Sequence, residues 1–270
     1  MNETLTLTPL DLARDLRYAL DPVSFADSLN LGYELDPWQR QVLAWKGRQI
    51  LLNCHRQSGK STVAGILALY EALYRPGLIL LISPSLRQSS ELFRKVTGLL
   101  DRLEVKPQLV EDNKLSCELS NGARIISLPS SEGTIRGFSG ARLIIEDEAA
   151  WVDDDLYFAI RPMLAISKGR LMLMSTPFGK RGHFYKEWTS EGDGWERIKV
   201  TVDQCSRISK DFLEEERSSM GEWRYKQEYM GIFVESEDHV FDLDLVMSQT
   251  SKDIKPMFSG RSFFGGEKFV

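Results

Sequence analysis

The chain has 270 residues, 42% hydrophobic, 27% charged and 10% aromatic, which excludes a mostly disordered, collagen-like or coiled-coil polypeptide. Lysine and arginine number 34 against 39 aspartates and glutamates, a net charge of −5; a wholly basic nucleic-acid coat is excluded, while a local basic patch is not. The three cysteines, Cys54, Cys117 and Cys205, are odd in number and none pair at metal-ligand spacing, which points to reduced thiols and not to a disulfide framework.

The first ten residues carry no basic region followed by a long apolar stretch, so no secretory signal is expected. Apolar runs such as 78–82 fall far below the roughly 20 residues that cross a bilayer. The expectation is a soluble intracellular protein without membrane contact. No internal repeat or low-complexity segment is present.

From about residue 49 to 201 short apolar strands alternate with amphipathic helices. Residues 49–53 read as a buried strand. Residues 61–74 read as a helix with Val63, Ile66, Leu67, Tyr70 and Leu73 on one stripe, stopped by Pro76-Gly77. A strand over 78–83 and a helix over 86–103 follow. Segments 115–119 and 123–128 flank Asn121-Gly122, a hairpin pattern in which both turn positions take positive φ. Strands are predicted at 143–147, 170–175 and 196–201, with a helix near 154–166. Ser209 reads as the N-cap of a helix running to about Met230. Nearly continuous apolar strands alternating with helices imply an α/β fold, a mostly parallel central sheet covered by helices on both faces, with an antiparallel hairpin added at one side. After Gly231 the pattern fades into a polar stretch.

The sharpest motif is Cys54-His55-Arg56-Gln57-Ser58-Gly59-Lys60-Ser61, which follows a predicted strand and opens a predicted helix. That is the setting of a phosphate-binding loop, whose amides and helix N-terminus hold phosphate oxygens. Lys60 is placed to reach the β- and γ-phosphates, Ser61 to put its hydroxyl on Mg²⁺, and Gly59 to let the backbone approach the nucleotide. Cys54 stands where such loops usually begin with glycine. Arg56 can meet a γ-phosphate or simply pair with a carboxylate. The strand 143–147 ends in Glu146-Asp147-Glu148. Asp147 is the expected Mg²⁺ ligand and Glu148 the base that orients the attacking water. Either motif alone has a bland alternative, a chance Gly-Lys-Ser or an acidic helix start; together they answer one chemical need, ATP hydrolysis. Glu146 occupies a position that is usually apolar, so that strand end is expected to be less buried.

In combination and order these residues resemble the ATPase domain of the large terminase subunit of tailed bacteriophages, a P-loop NTPase fold. Arg56-Gln57-Ser58-Gly59-Lys60-Ser61 resembles that family's variant phosphate loop, which often lacks the leading glycine. Asp147-Glu148-Ala149-Ala150 resembles its magnesium and catalytic-glutamate motif, and Ser175-Thr176-Pro177 its coupling motif. Pro37-Trp38-Gln39 resembles the segment beside the adenine; Gln39 can alternatively cap the backbone near Trp38. Ile135-Arg136-Gly137 resembles the segment that supplies an arginine finger to the neighbouring subunit, with Arg142 as runner-up. The match spans roughly residues 30–235.

The resemblance implies a motor domain over 1–235, with an N-terminal helical extension at 1–30 and a linker or peripheral extension over 236–270. It implies Glu148, Lys60 and Arg136 as catalytic residues, and Arg56, Gln57, Ser58, Gly59, Lys60, Ser61, Thr62 and Gln39 as ATP-binding. Ser61 and Asp147 are the implied Mg²⁺ ligands, with Ser175 and Thr176 coupling hydrolysis to movement. ATP and Mg²⁺ are the implied cofactors. Sequence-independent double-stranded DNA, a capsid portal, the small terminase subunit and a homo-oligomeric ring are the implied partners, in the host cell cytoplasm. Family members usually carry a second, RNase H-like nuclease domain; the expectation here is a motor domain without nuclease activity. Lys180, Arg181, Arg87, Arg94 and Lys95 are candidate DNA-facing charges. A helicase-like translocase, a small-molecule kinase and a non-enzymatic nucleotide switch remain alternatives with the same phosphate loop. Trp151 is expected to pack, and His55 and His183 to be structural or at the surface.

Overall fold

The computed structural model describes residues 8–130, 135, 137–192, 194–205 and 207–234. The chain order is α1 (Pro9–Leu20), α2 (Pro22–Ser28), α3 (Pro37–Ala44), β1 (Gln49–Cys54), α4 (Lys60–Tyr74), β2 (Leu78–Ser83), α5 (Leu86–Leu100), β3 (Leu109–Asp112), β4 (Ser116–Leu119), β5 (Arg124–Pro129), β6 (Ala141–Asp147), α6 (Asp154–Ile160), β7 (Arg170–Ser175), α7 (Gly182–Thr189), β8 (Glu196–Val200) and α8 (Lys210–Met230). The eight strands form one sheet in the order β3-β4-β5-β2-β6-β7-β1-β8. From β5 to β8 all neighbours are parallel, and β4 and β3 are added antiparallel beyond β5. This is the expected α/β architecture with its hairpin addition.

Side-chain alternation divides the core between the two faces of the sheet. Ile50, Leu52 and Cys54 of β1, with Leu143 and Ile145 of β6, pack against α4 and α5. Leu51, Ile144, Leu171 and Leu173 face the opposite way, toward α6 and Phe184 of α7. Asp147 therefore continues the α4 side of β6, and Glu146 the α6–α7 side.

Several boundaries differ from the sequence reading for identifiable reasons. The helix expected to reach residue 103 ends at Leu100, after which Arg102 and Leu103 make tightened bonds to the carbonyls of Leu99 and Leu100. The helix near 154–166 stops at Ile160 and continues as a 3₁₀ turn over Arg161–Leu164, where Pro162 has no N–H to donate. Gly221, at φ 78 and ψ 161, kinks α8. The hairpin forms, but Gly122 takes positive φ and Asn121 does not. Asn121 instead uses its side chain, donating to the carbonyls of Ala72 and Leu73 and accepting from the Ala123 N–H. The edge strand β3 was not expected, because its exposed residues show no alternation. Helix α7 was not expected either. The expected extension over 236–270 lies outside the described residues.

At the sheet end where β7 begins, Glu71 of α4 is fully buried. It accepts from Arg170 at 2.7 Å and from Arg75 at 3.1 Å, while Arg170 stacks on Trp45 at 3.9 Å. Truncating one partner of such a cluster leaves a buried charge unpaired. Glu71→Ala is expected to lower stability by about 3–5 kcal/mol, read from urea unfolding. A loss below about 1 kcal/mol would mean that Arg170 is satisfied by the carbonyls of Trp45 and Gly47 alone.

Candidate functional site

Three adjacent strands end side by side. β7 lies between β1 and β6, with Asn53 opposite Ser175 and Asp147 opposite Met174. The loop after β1, the acidic end of β6 and Ser175 thus meet at the carboxyl edge of the sheet, where open α/β folds place their ligands.

The loop 55–59 turns tightly. Gln57 has φ 60 and Gly59 has φ 95, a left-handed conformation that glycine adopts without a Cβ penalty. Gly59 is the N-cap of α4 and makes no side-chain cap bond. The first amides of α4, at Lys60 and Ser61, thus keep the helix-terminal donors and positive dipole end that favour an anion. Thr62 has already entered the helix, its N–H donating to the Gly59 carbonyl at 3.0 Å. Cys54, the departure from glycine, is fully buried on the α4 side of β1, and burial pushes its thiol up to about 12. It is a neutral core residue.

Lys60 is buried, and its Nζ lies 2.8 Å from Glu148 Oε1. Burial works against the ammonium, but Glu148 and Asp147 outweigh it and hold its pKa above the ordinary value. Asp147 is also buried; burial raises its pKa, Lys60 opposes and Glu148 reinforces the rise. Glu148 turns back toward Lys60 because its backbone is left-handed, φ 53 and ψ 43. That conformation is uncommon for a residue with a Cβ, and such strain gathers at functional sites. Ser175 Oγ accepts from the Ala150 N–H at 3.2 Å and lies 3.4 Å from Glu148 Oε2 and 2.8 Å from the Thr176 carbonyl. Thr176, Glu148 and Arg56 line one open cavity of about 310 Å³.

Gln39 is fully buried in α3, and its Oε1 accepts from the Asp36 N–H at 3.0 Å. It therefore does cap the helix. Among the described residues its Nε2 has no partner, and a Cβ at Gly59 would meet that nitrogen at 2.9 Å, so the amide faces the loop. Exposed Arg56 has Glu228 at 3.8 Å, and its N–H donates to the Glu228 carbonyl; a carboxylate is its neighbour in this structure. Ser58 is buried, and its carbonyl accepts from Arg207 at 2.8 Å, a guanidinium also bound to Asp36. Arg207 clasps the loop from outside and was not singled out in the sequence, where it sits in a polar stretch with no pattern. Arg142 lies at the far end of β6, 3.8 Å from Glu71. Arg136 lies outside the described residues.

One reading is corrected. The end of β6 is not less buried: Glu146 is fully enclosed, its Oε1 2.8 Å from Nε2 of His183, which is itself buried. The imidazole makes that burial tolerable, so the charged residue on an apolar strand was a sign of a buried partner. Trp151 packs as expected, stacked 3.5 Å from Phe178, while 55% of it stays exposed. Arg181 lies over the same Phe178 at 4.8 Å.

Lys60, Ser61, Asp147 and Glu148 suit a phosphate chain accompanied by a hard divalent cation. Ser61 and Asp147 offer oxygen donors, the ligand type that Mg²⁺ prefers. Among the described residues no helix is long and apolar enough to cross a membrane.

Residues 52–247 match the family model described as terminase large subunit, T4likevirus-type, N-terminal. The large terminase subunit of Escherichia phage T5 is 26% identical over 240 residues, covering 85% of this chain and 51% of that protein. The chain thus spans about half the length of the curated relatives it matches. The large terminase ATPase domain of Thermus phage P74-26 superposes with a TM-score of 0.66 at 21% identity, over 78% of this chain and 97% of that one. A large terminase from a thermophilic bacteriophage, solved in complex with ATP-gamma-S, gives 0.59 at 14% identity, over 74% and 53%. At these identities the structural likeness speaks for the fold.

Proposed function

Because the chain belongs to the terminase large-subunit family, T4likevirus-type, in its N-terminal part, we propose that it is the ATP-hydrolysing motor of a phage DNA-packaging machine. The observation that carries the reading is the meeting of Lys60, Asp147, Glu148 and Ser175 at the ends of three adjacent strands. A relative solved with ATP-gamma-S supports the nucleotide.

In this mechanism the amides of Gly59, Lys60 and Ser61 cradle the phosphates, and Lys60 leaves Glu148 to meet the β- and γ-oxygens. Arg56, Gln57, Ser58 and Thr62 complete the loop around them, and the free Nε2 of Gln39 serves the adenine side. Ser61 and Asp147 would hold Mg²⁺, which would supply positive charge beside the phosphoryl oxygens. Glu148, released from Lys60, orients a water and takes its proton. Loss of the γ-phosphate then changes what Glu148 and Ser175 touch, and Ser175-Thr176 passes the change onward. Arg136 of a neighbouring copy is the proposed finger, which makes a homo-oligomeric ring the active form. Double-stranded DNA gripped through its phosphates, a capsid portal and the small terminase subunit are the proposed partners, in the host cytoplasm; nuclease activity is not expected from residues 1–235 or from the extension over 236–270.

The purified chain, given ATP and Mg²⁺ with no acceptor, is expected to release phosphate to water, and EDTA to abolish the release. Phosphate transfer that requires an added acceptor would favour the kinase alternative, and binding without turnover the nucleotide switch.

A further inference from the structure

Besides the Glu71 cluster, the steps above leave unused a buried ionic pair on the α6–α7 side of the sheet. Glu146 is fully buried at the end of an apolar strand, where an aliphatic side chain would pack without penalty. Enclosing a carboxylate is costly unless a partner compensates. The partner is His183, 2% exposed, with its ring lying flat on Tyr157 at 4.6 Å and 8°. Its Nε2 is 2.8 Å from Glu146 Oε1, and its Nδ1 is 3.3 Å from Asp154 Oδ1. Both ring nitrogens face carboxylates, so the doubly protonated ring serves both. Burial opposes that form, but Glu146 and Asp154 outweigh it and hold the His183 pKa above its ordinary value. Asp154 also accepts from Lys186 at 2.7 Å and from the His183 N–H.

One imidazole thereby ties three segments: the end of β6, the start of α6 and the start of α7. Each adjoins the nucleotide site in the chain. Glu146 precedes Asp147, α6 follows Glu148 by a short turn, and α7 follows Ser175-Thr176. Among the described residues Glu146 Oε2 has no hydrogen-bond partner, so the carboxylate is oriented through His183. We infer that His183 is a positioning residue for hydrolysis, fixing through Glu146 the strand end from which Asp147 and Glu148 project and linking it to the segment after Thr176. This rests on the ATPase reading proposed above.

A displacement of catalytic groups by about 1 Å can lower a rate by 10²-fold. His183→Gln and Glu146→Gln are each expected to lower kcat about 10–100-fold, with KM for ATP within about twofold. The double variant is expected to be no slower than the slower single one, since both remove the same link. A role in folding alone would lower the thermal midpoint and leave kcat per folded molecule intact. A kcat within threefold of wild type in either single variant, or losses that multiply in the double, would overturn the inference.

A second measurement needs no variant to fold. The chain holds three histidines, His55 in the phosphate loop and His183 among them. With ¹⁵N-labelled histidine in the wild-type chain, adding ATPγS and Mg²⁺ is expected to move the Nε2 resonances of both. Movement of His55 with His183 unchanged overturns the positioning role while the nucleotide reading stands. If ATPγS moves neither, the nucleotide reading fails first and takes this inference with it.

Discussion

Glu148→Gln should lower kcat by about 10²–10⁴ while ATP still binds as tightly as before or more so. The amide keeps the shape of the side chain but cannot accept the proton of the attacking water. The structure also gives the sign of the binding effect. The Glu148 carboxylate lies 2.8 Å from Lys60 Nζ, where it competes with phosphate for that ammonium. Removing its charge frees Lys60 for the triphosphate. Titration with a fluorescent ATP analogue together with single-turnover hydrolysis separates the two effects. Turnover unchanged from wild type would remove Glu148 from the chemistry, and a large loss of affinity would mean that the carboxylate shapes the pocket instead of readying water.

The parts of this site that were legible in the sequence are those where backbone and chemistry demand the same residues. A phosphate loop needs a strand, a positive-φ glycine and a helix start, and 49–61 spells all three. The acidic pair announced itself as polar residues ending an apolar strand. The fold class followed from runs such as Leu78–Ser83, where five of the six residues are buried, because strands covered on both faces cannot alternate. What was not legible depends on partners distant in the chain. That β7 is inserted between β1 and β6, bringing Ser175 beside Glu148, is a property of strand order and has no local pattern. Arg207 clasping Ser58 from 149 residues away is of the same kind.

Glu146 is the instructive failure. A charge at an apolar position suggests exposure, since a buried carboxylate is costly, but a buried counter-ion is the other solution. His183 shows no metal-partner pattern and reads as structural or at the surface, and its carboxylate partner lies 37 residues away in the chain. Each residue is unremarkable alone, and only their 2.8 Å contact makes sense of both. The hairpin is a milder case: Asn121-Gly122 marks a turn through its tolerance of positive φ, whereas the structure uses the Asn121 amide to hold the end of α4.

Lys60→Ala is expected to abolish productive ATP binding, with kcat/KM falling by about 10³ or more, roughly 4 kcal/mol at 1.36 kcal/mol per tenfold. Two effects act together. The first is loss of the cation that meets the β- and γ-phosphates. The second concerns the two carboxylates left behind. Lys60 opposes the upward drive that burial and Glu148 exert on Asp147. Without the ammonium, neighbouring carboxylates cannot both stay ionised easily, and one of them holds a proton. A protonated Asp147 is a poor Mg²⁺ ligand, so the variant should also need more Mg²⁺ to bind whatever nucleotide it retains. Lys60→Arg should not restore activity, because a planar guanidinium does not fit a buried site made for a compact ammonium. Nucleotide titrations across a range of Mg²⁺ concentrations test both halves. Affinity within threefold of wild type would remove Lys60 from triphosphate binding, and with it the role assigned to the whole loop. Lost affinity with an unshifted Mg²⁺ requirement would keep Lys60 on the phosphates but release Asp147 from its dependence on that charge.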